Sequence, residues 1–164
     1  MTPLEEKALD FATRAHKEQV RKYTEEPYIN HPAAVAEILR KSGARPEVIA
    51  AGYLHDVVED CDVSLEEIEA EFGPDVAKLV DEVTDKSRPE DGNRATRKAI
   101  DRDSLAKASP EGQTIKLADL IDNTSSIVER DPNFAKVYLA EKRDLLEVLT
   151  KGDRRLWQRA SLQV

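Results

Sequence analysis

Apolar residues return every three or four positions along nearly the whole chain, and proline or glycine opens or closes each run. No other feature narrows the fold as much. Near the start, Leu4, Ala8, Phe11, Ala12 and Ala15 are separated by four, three, one and three residues, which puts them on one face of a helix with 3.6 residues per turn. The spacing predicts a helix over residues 3–19, and Arg21 to Asn30 reads as a turn. His31-Pro32 opens a second helix, because proline suits the first helical turn, with Val35, Ile38 and Leu39 inward and Gly43 as its stop. Pro46 opens a third, whose Ile49, Ala50, Tyr53, Leu54, Val57 and Val58 are apolar on so wide an arc that the helix belongs near the middle of a bundle.

Ser64 with Glu67 forms a capping-box pattern ahead of Ile68, Phe72-Gly73 closes that short helix, and Pro74 starts another through Val76, Leu79, Val80 and Val83. Residues 85–93, DKSRPEDGN, hold a proline, a glycine and five charges, and read as a loop, either a lid or a solvated connector. Further helices are predicted at about 94–107, 111–130, 133–150 and 153–161. The expectation is an all-α bundle of eight to nine helices. With no repeat, no low-complexity tract and no linker, the 164 residues read as a single domain, long enough to bury a core without disulfides.

Charge and cysteine content narrow the function. A formal net charge of −8 repels a nucleic-acid backbone or an anionic membrane surface, so neither is an expected partner. A polyanionic substrate would need a metal or a local cluster of Lys and Arg. The single cysteine, Cys61, allows no internal disulfide. With a charged N-terminus and no apolar stretch of membrane-spanning length, the expected location is the cytoplasm.

Histidine occurs only at positions 16, 31 and 55, and His55-Asp56 falls inside the apolar third helix. An imidazole beside a carboxylate in a setting that disfavours solvated charge suggests a metal site. Glu59 follows His55 by four residues and Asp60 follows Asp56 by four, so helical spacing stacks HDVVED into a pair of ligands with a pair of carboxylates one turn on. In TIKLADLIDNTSSI, the residues Ile115, Leu117, Ala118 and Ile121 form a core face, while Asp119, Asn123 and Ser126 align at spacings of four and three. Together His31, His55, Asp56 and Asp119 make a mixed nitrogen and oxygen set suited to Mn, Fe, Co or Zn more than to Ca. Taken singly, each piece has a plain structural reading: an HD doublet is common, a lone histidine usually packs or caps, and a charge run usually faces water. Cys61, Tyr53 and Trp157 read as packing residues.

In order, AHKEQVRK, PYINHP, AGYLHDVVED, EEIEAEFG and TIKLADLIDN resemble the hydrolase domain of Rel/SpoT homologues, in the form of stand-alone small alarmone hydrolases with an HD domain. The similarity runs from about Ala15 to Ser126. It implies that His31, His55, Asp56 and Asp119 bind a metal, usually manganese. It further implies that Glu59 and Asp60 are the catalytic acidic pair, that Arg21 and Lys22 contact the nucleotide, and that Asn123 and Ser126 contact ribose and base. The implied activity is metal-dependent hydrolysis of the 3′-pyrophosphate of (p)ppGpp-type alarmones, releasing pyrophosphate and the parent nucleotide. A nucleotidase of the HD type acting on monophosphates is the alternative, and a non-catalytic nucleotide-binding module a further one. The chain departs from the resembled pattern at VTDK, at ADLI, where Leu120 stands in place of a basic residue, and at YTEEP after Arg21-Lys22. These departures surround the implied nucleotide pocket, so an adenosine alarmone is expected as a substrate beside the guanosine one.

Overall fold

The structure, a computed structural model, describes residues 1–164 and is all-α. Nine helices of eight residues or more are joined by a single-turn helix and a short 3-10 turn. The chain divides into two compact units, Met1–Thr84 and Asp85–Val164.

The first unit holds α1 (Pro3–Ala15), α2 (Asn30–Lys41), α3 (Pro46–Leu54), the single turn α4 (Val57–Asp60), α5 (Leu65–Phe72) and α6 (Pro74–Val83). Local sequence explains most of the boundaries. Thr2 and Glu5 close a capping box on α1, Ser64 and Glu67 close the expected one on α5, and Gly73 adopts φ +91° to link α5 to α6, a conformation that costs a residue with a Cβ. Helix α3 is the hub: every residue from Val48 to Leu54 is buried, and α1, α2 and α6 pack around it. Its apolar circumference leaves no face for water, which is why it sits at the centre. A Cβ on Gly52 would lie 2.6 Å from Leu39 Cδ1 and 3.5 Å from Ala36 Cα. A larger residue would have to displace the Leu39 side chain, so glycine keeps α2 and α3 packed as they are, with His31, in the first turn of α2, near His55 at the end of α3.

The second unit holds a 3-10 turn (Pro89–Asp91), α7 (Arg94–Ala106), α8 (Pro110–Arg130), α9 (Pro132–Val148) and α10 (Arg154–Leu162). Here α8 is the hub, with Ile115, Leu117, Ala118, Leu120 and Ile121 buried against α9 and α10. Fully buried Gln113 is satisfied on both sides: its amide donates to the carbonyls of Leu105 and Val148, and its oxygen accepts the Lys151 N–H. Trp157 donates its indole N–H to the Leu146 carbonyl, a packing role.

Two local expectations need correction. Helix α1 ends at Ala15 rather than at residue 19, because the chain turns at His16 and enters a short antiparallel ladder. The third helix does not run through to Val58: it stops at Leu54, and α4 starts afresh at Val57, with His55-Asp56 as the joint. Residues 85–93 form the expected loop, mostly exposed, with one 3-10 turn and local hydrogen bonds. The backbone N–H groups of Lys86 and Ser87 donate to the Asp101 carboxylate, and Asp91 caps the turn that starts at Arg88.

Candidate functional site

The joint between α3 and α4 brings His55 and Asp56 together with His31. His55 is the last residue turning with α3, and its Nδ1–H donates to the Gly52 carbonyl at 2.7 Å. A carbonyl oxygen only accepts, so Nδ1 carries the proton and, in the neutral ring, Nε2 presents a lone pair. That lone pair faces Asp56 Oδ2 at 3.0 Å, and His31 Nε2 lies 3.7 Å from the same oxygen. Both imidazoles are buried, and one donor atom from each of the three residues falls within 4.8 Å of the others. Lone pairs held this close in a dry pocket repel one another unless a proton or a cation lies between them. A metal bonded at about 2.1 Å separates its ligand atoms by about 3–4 Å, the spacing of Asp56 Oδ2 from the two Nε2 atoms. Two imidazoles and one carboxylate therefore fit a divalent transition metal and leave other coordination positions open.

Asp60 stands one turn beyond Asp56, with its N–H bonded to the Asp56 carbonyl at 2.9 Å. The helical spacing expected for HDVVED thus holds from Asp56, which caps α4, to Asp60, although His55 caps the preceding helix. Part of Asp60 faces solvent, yet its carboxyl is held above the ordinary carboxylate range. The crowding of protein around it is the first cause and the charge of Asp56 the second; hydrogen bonds with Gln19 and Tyr28 act in the opposite direction. Glu59 is exposed on the same turn.

Arg21 and Lys22 lie on a built turn, not a floppy one. Val20 and Pro27 form an antiparallel bridge, the Arg21 N–H donates to the Glu26 carbonyl, and Glu25 takes φ +58° to close the loop. Arg21 is half-buried, and the exposed Lys22 rests its ammonium 5.3 Å from the centre of the Tyr23 ring. The YTEEP segment is what shapes this turn.

In the second unit, Asp119 is buried on α8. The partner that a buried aspartate requires is supplied by its own helix: Lys116 Nζ donates to Oδ2 at 2.9 Å and the Asn123 amide to Oδ1 at 3.1 Å. Burial alone would pull Lys116 down, but the charges of Asp119 and Asp85 outweigh it and hold the ammonium above the ordinary lysine range. Sequence reasoning passed over Lys116, although its place three residues before Asp119 on one helical face was the signal. Asp119 and Asn123 share a cavity of about 600 Å³ with Arg94, Lys98, Leu120 and Tyr138. Ser126, one turn further along α8, is half-buried and lies outside that wall.

Two other residues of this cavity escaped the sequence reading. Burial pushes the Tyr138 hydroxyl up to about 12 while it bonds Thr124 Oγ1 at 3.1 Å. Lys142, 1% exposed, donates at 2.8 Å both to Thr124 Oγ1 and to Gln163 Oε1, and burial pulls it down to about 8. Neither announces itself in a pattern of periodic apolar residues.

Comparison with known proteins gives this geometry its context. The human guanosine-3′,5′-bis(diphosphate) 3′-pyrophosphohydrolase MESH1 is 42% identical over 120 residues, which cover 71% of this chain and 65% of that protein. The Drosophila melanogaster protein of the same name is 39% identical over 146 residues, covering 87% of this chain and 78% of that one. A probable 3′-pyrophosphohydrolase of Synechocystis is 40% identical over 146 residues but is much longer, so the chain spans only 19% of it. Among solved structures, a metazoan orthologue of SpoT, described as hydrolysing ppGpp, superposes with a TM-score of 0.89 at 32% identity, covering 99% of this chain and 94% of the other. The HD domain matches from Ala8 to Leu149. A match that begins in α1, takes in both imidazoles and the Asp56 carboxylate that meets them, and ends just past α9 makes this chain a member of the HD-domain family.

Proposed function

We propose that the chain hydrolyses the 3′-pyrophosphate of (p)ppGpp-type alarmones, guanosine or adenosine, with manganese at the His31, His55 and Asp56 cluster. The observation that carries this reading is the convergence of those three donors beside the acidic turn of α4, in a chain about 40% identical to ppGpp 3′-pyrophosphohydrolases. Asp119 is the proposed fourth ligand, a role that rests on its ADLI motif. We further propose that both units act as one domain, since the family match spans residues 8–149 and thus both of them.

A divalent ion held by these residues supplies Lewis acidity, making water a better nucleophile near neutral pH and drawing charge from a phosphate oxygen. The rest falls to the protein. His55, oriented by Gly52, and His31, packed beside it, fix the donor geometry. Glu59 and Asp60 hold the attacking water and manage its proton: oxygen from water bonds to phosphorus, the bond to the 3′-oxygen breaks, and that oxygen takes up a proton. A carboxyl held above the ordinary range, as Asp60 is, is better placed to shuttle a proton than a fully dissociated one. Arg21 and Lys22 meet the base and phosphates by stacking and charge, which a chain of net charge −8 must supply locally. Asn123 and Ser126 are the proposed ribose and base contacts. The partner is thus a small nucleotide, with neither nucleic acid nor membrane involved; no helix is long and apolar enough to cross a membrane. The proposed compartment is the cytoplasm.

A turnover screen of ppGpp, pppGpp and their adenosine counterparts, each with Mn, Mg, Co and Zn, tests this reading. Pyrophosphate release, fastest with manganese and seen with both bases, is expected. Orthophosphate release would identify a monophosphate nucleotidase instead, and a guanosine preference of several hundredfold, about 3 kcal/mol or more, would remove the adenosine part of the proposal.

A further inference from the structure

The turn between α1 and α2 carries more than the Arg21-Lys22 pair. Gln19 and Tyr28 face each other across its ladder, with the Tyr28 N–H donating to the Gln19 carbonyl at 2.8 Å next to the Val20–Pro27 bridge. From this rung both side chains reach the acidic residues of α4. The Tyr28 hydroxyl is within hydrogen-bonding reach of Asp60 and of Asp56, and its one proton is given to Asp56 Oδ2 at 2.6 Å, the same oxygen that lies 3.0 Å from His55 Nε2. Gln19 is bonded to Asp60.

A third residue locks the arrangement. His16 Nδ1 lies 2.9 Å from Gln19 Oε1, and since an amide oxygen only accepts, the imidazole is the donor and the Gln19 NH₂ is left to donate to Asp60. The His16 ring, 2% exposed, packs on Tyr28 with 4.7 Å between centroids, and Tyr28 in turn lies edge-on to His31 at 5.8 Å. Tyr28 is therefore flanked by the His16 and His31 rings.

We propose that Tyr28 is a positioning residue for the metal centre: its hydroxyl fixes the Asp56 carboxylate so that Oδ2 faces His31 and His55. A carboxylate on a single-turn helix has two oxygens and a broad terminal torsion, so without a donor it samples orientations that spoil a three-donor set. One hydrogen bond from a rigid phenol selects the orientation in advance, so less ordering remains to be done when the ion binds. Partners of this outer kind are worth about 10–100-fold in metal affinity.

The inference rests on the metal reading of the His31, His55 and Asp56 cluster, and the experiment separates the two. Manganese alone is titrated calorimetrically into metal-stripped wild-type protein, Tyr28→Phe and His55→Ala, and each protein is melted without metal. Wild type should bind one ion tightly, His55→Ala should not bind, and Tyr28→Phe should bind at least tenfold more weakly while melting within about 2 °C of wild type. With saturating manganese, Tyr28→Phe should recover KM for ppGpp and most of kcat, a pattern that general damage to the fold does not produce. If Tyr28→Phe binds within twofold of wild type while His55→Ala fails to bind, the positioning role is wrong and the metal centre stands. If wild type and His55→Ala bind alike, the metal centre is misplaced and the role of Tyr28 falls with it. A Tyr28→Phe protein that melts many degrees lower and is not rescued by saturating manganese would show the hydroxyl to be structural, which also overturns the proposal.

Discussion

Each unit packs its helices around one apolar hub, but the two treat polar side chains in opposite ways. In Met1–Thr84 the hub is α3, and where it packs on α2 the donor atoms of His31 and His55 gather around one Asp56 oxygen. In Asp85–Val164 the hub is α8, and the charges beside it are largely satisfied from within: Lys116 by Asp119, Arg94 by Glu141, Lys142 by a hydroxyl and an amide. Donors gathered around one carboxylate oxygen suit a metal, whereas charges already matched by an opposite charge or a hydrogen-bond partner do not need one. Under the proposed function the donors gathered in the first unit hold the metal, with Asp119 of the second as a further ligand.

Ligand removal should have the largest effect. His55→Ala or Asp56→Ala should abolish manganese binding and turnover, because either leaves its buried partner without charge balance; calorimetry with a pyrophosphate-release assay checks both. Wild-type rates in either variant would erase the contrast between the units.

The acidic turn comes next. Glu59→Gln and Asp60→Asn keep size and hydrogen bonding, so manganese and substrate should bind with near-normal affinity while turnover falls by about 10²–10⁴, the usual range for a lost acid or base. Single-turnover kinetics decides this: loss of metal in either variant would make that residue a ligand, and unchanged rates in both would take the pair out of the mechanism.

Gly52→Ala probes how the donors were brought together. The new methyl would press on Leu39, itself fully buried, at a cost of about 1–3 kcal/mol for overpacking. Urea denaturation should show that loss, and manganese affinity should fall with it, since α2 carries His31. A fully stable variant would show that the close approach is not needed.

The smallest effect belongs to the second unit. Burial pulls Lys142 from the usual 10.5 to about 8. Between those values the folded chain holds fewer protons than the unfolded one, so stability rises with pH across that window, and below pH 8 the penalty, about 3 kcal/mol at most, stands in full. Lys142→Met removes the penalty but also two hydrogen bonds worth about 1 kcal/mol each. The variant should therefore be about 1 kcal/mol more stable than wild type at pH 7, with the gain gone by pH 10. Denaturant titrations at the two pH values check this, and a gain that does not depend on pH would contradict the origin assigned to it.

Much of this was legible in the sequence because the signals are local. Spacing of apolar residues, Pro at helix starts, the Ser64 capping box and Gly73 all act within one or two turns, and the helices lie close to where they predict. The break at His55-Asp56 was invisible, because HDVVED satisfies helical spacing whether or not the helix pauses there. Tyr28 was missed for a different reason: its partner is 28 positions away, and only the ladder between Val20 and Pro27 brings them together. The division at Thr84–Asp85 leaves no trace in composition, since no linker marks it.

The most direct test of the central claim strips the protein of metal, adds ppGpp, and follows the released phosphorus species before and after manganese is restored. No turnover is expected without metal, then one pyrophosphate per ppGpp once manganese is present, with no orthophosphate. Pyrophosphate released at the full rate by thoroughly stripped protein, or orthophosphate as the product, would contradict it.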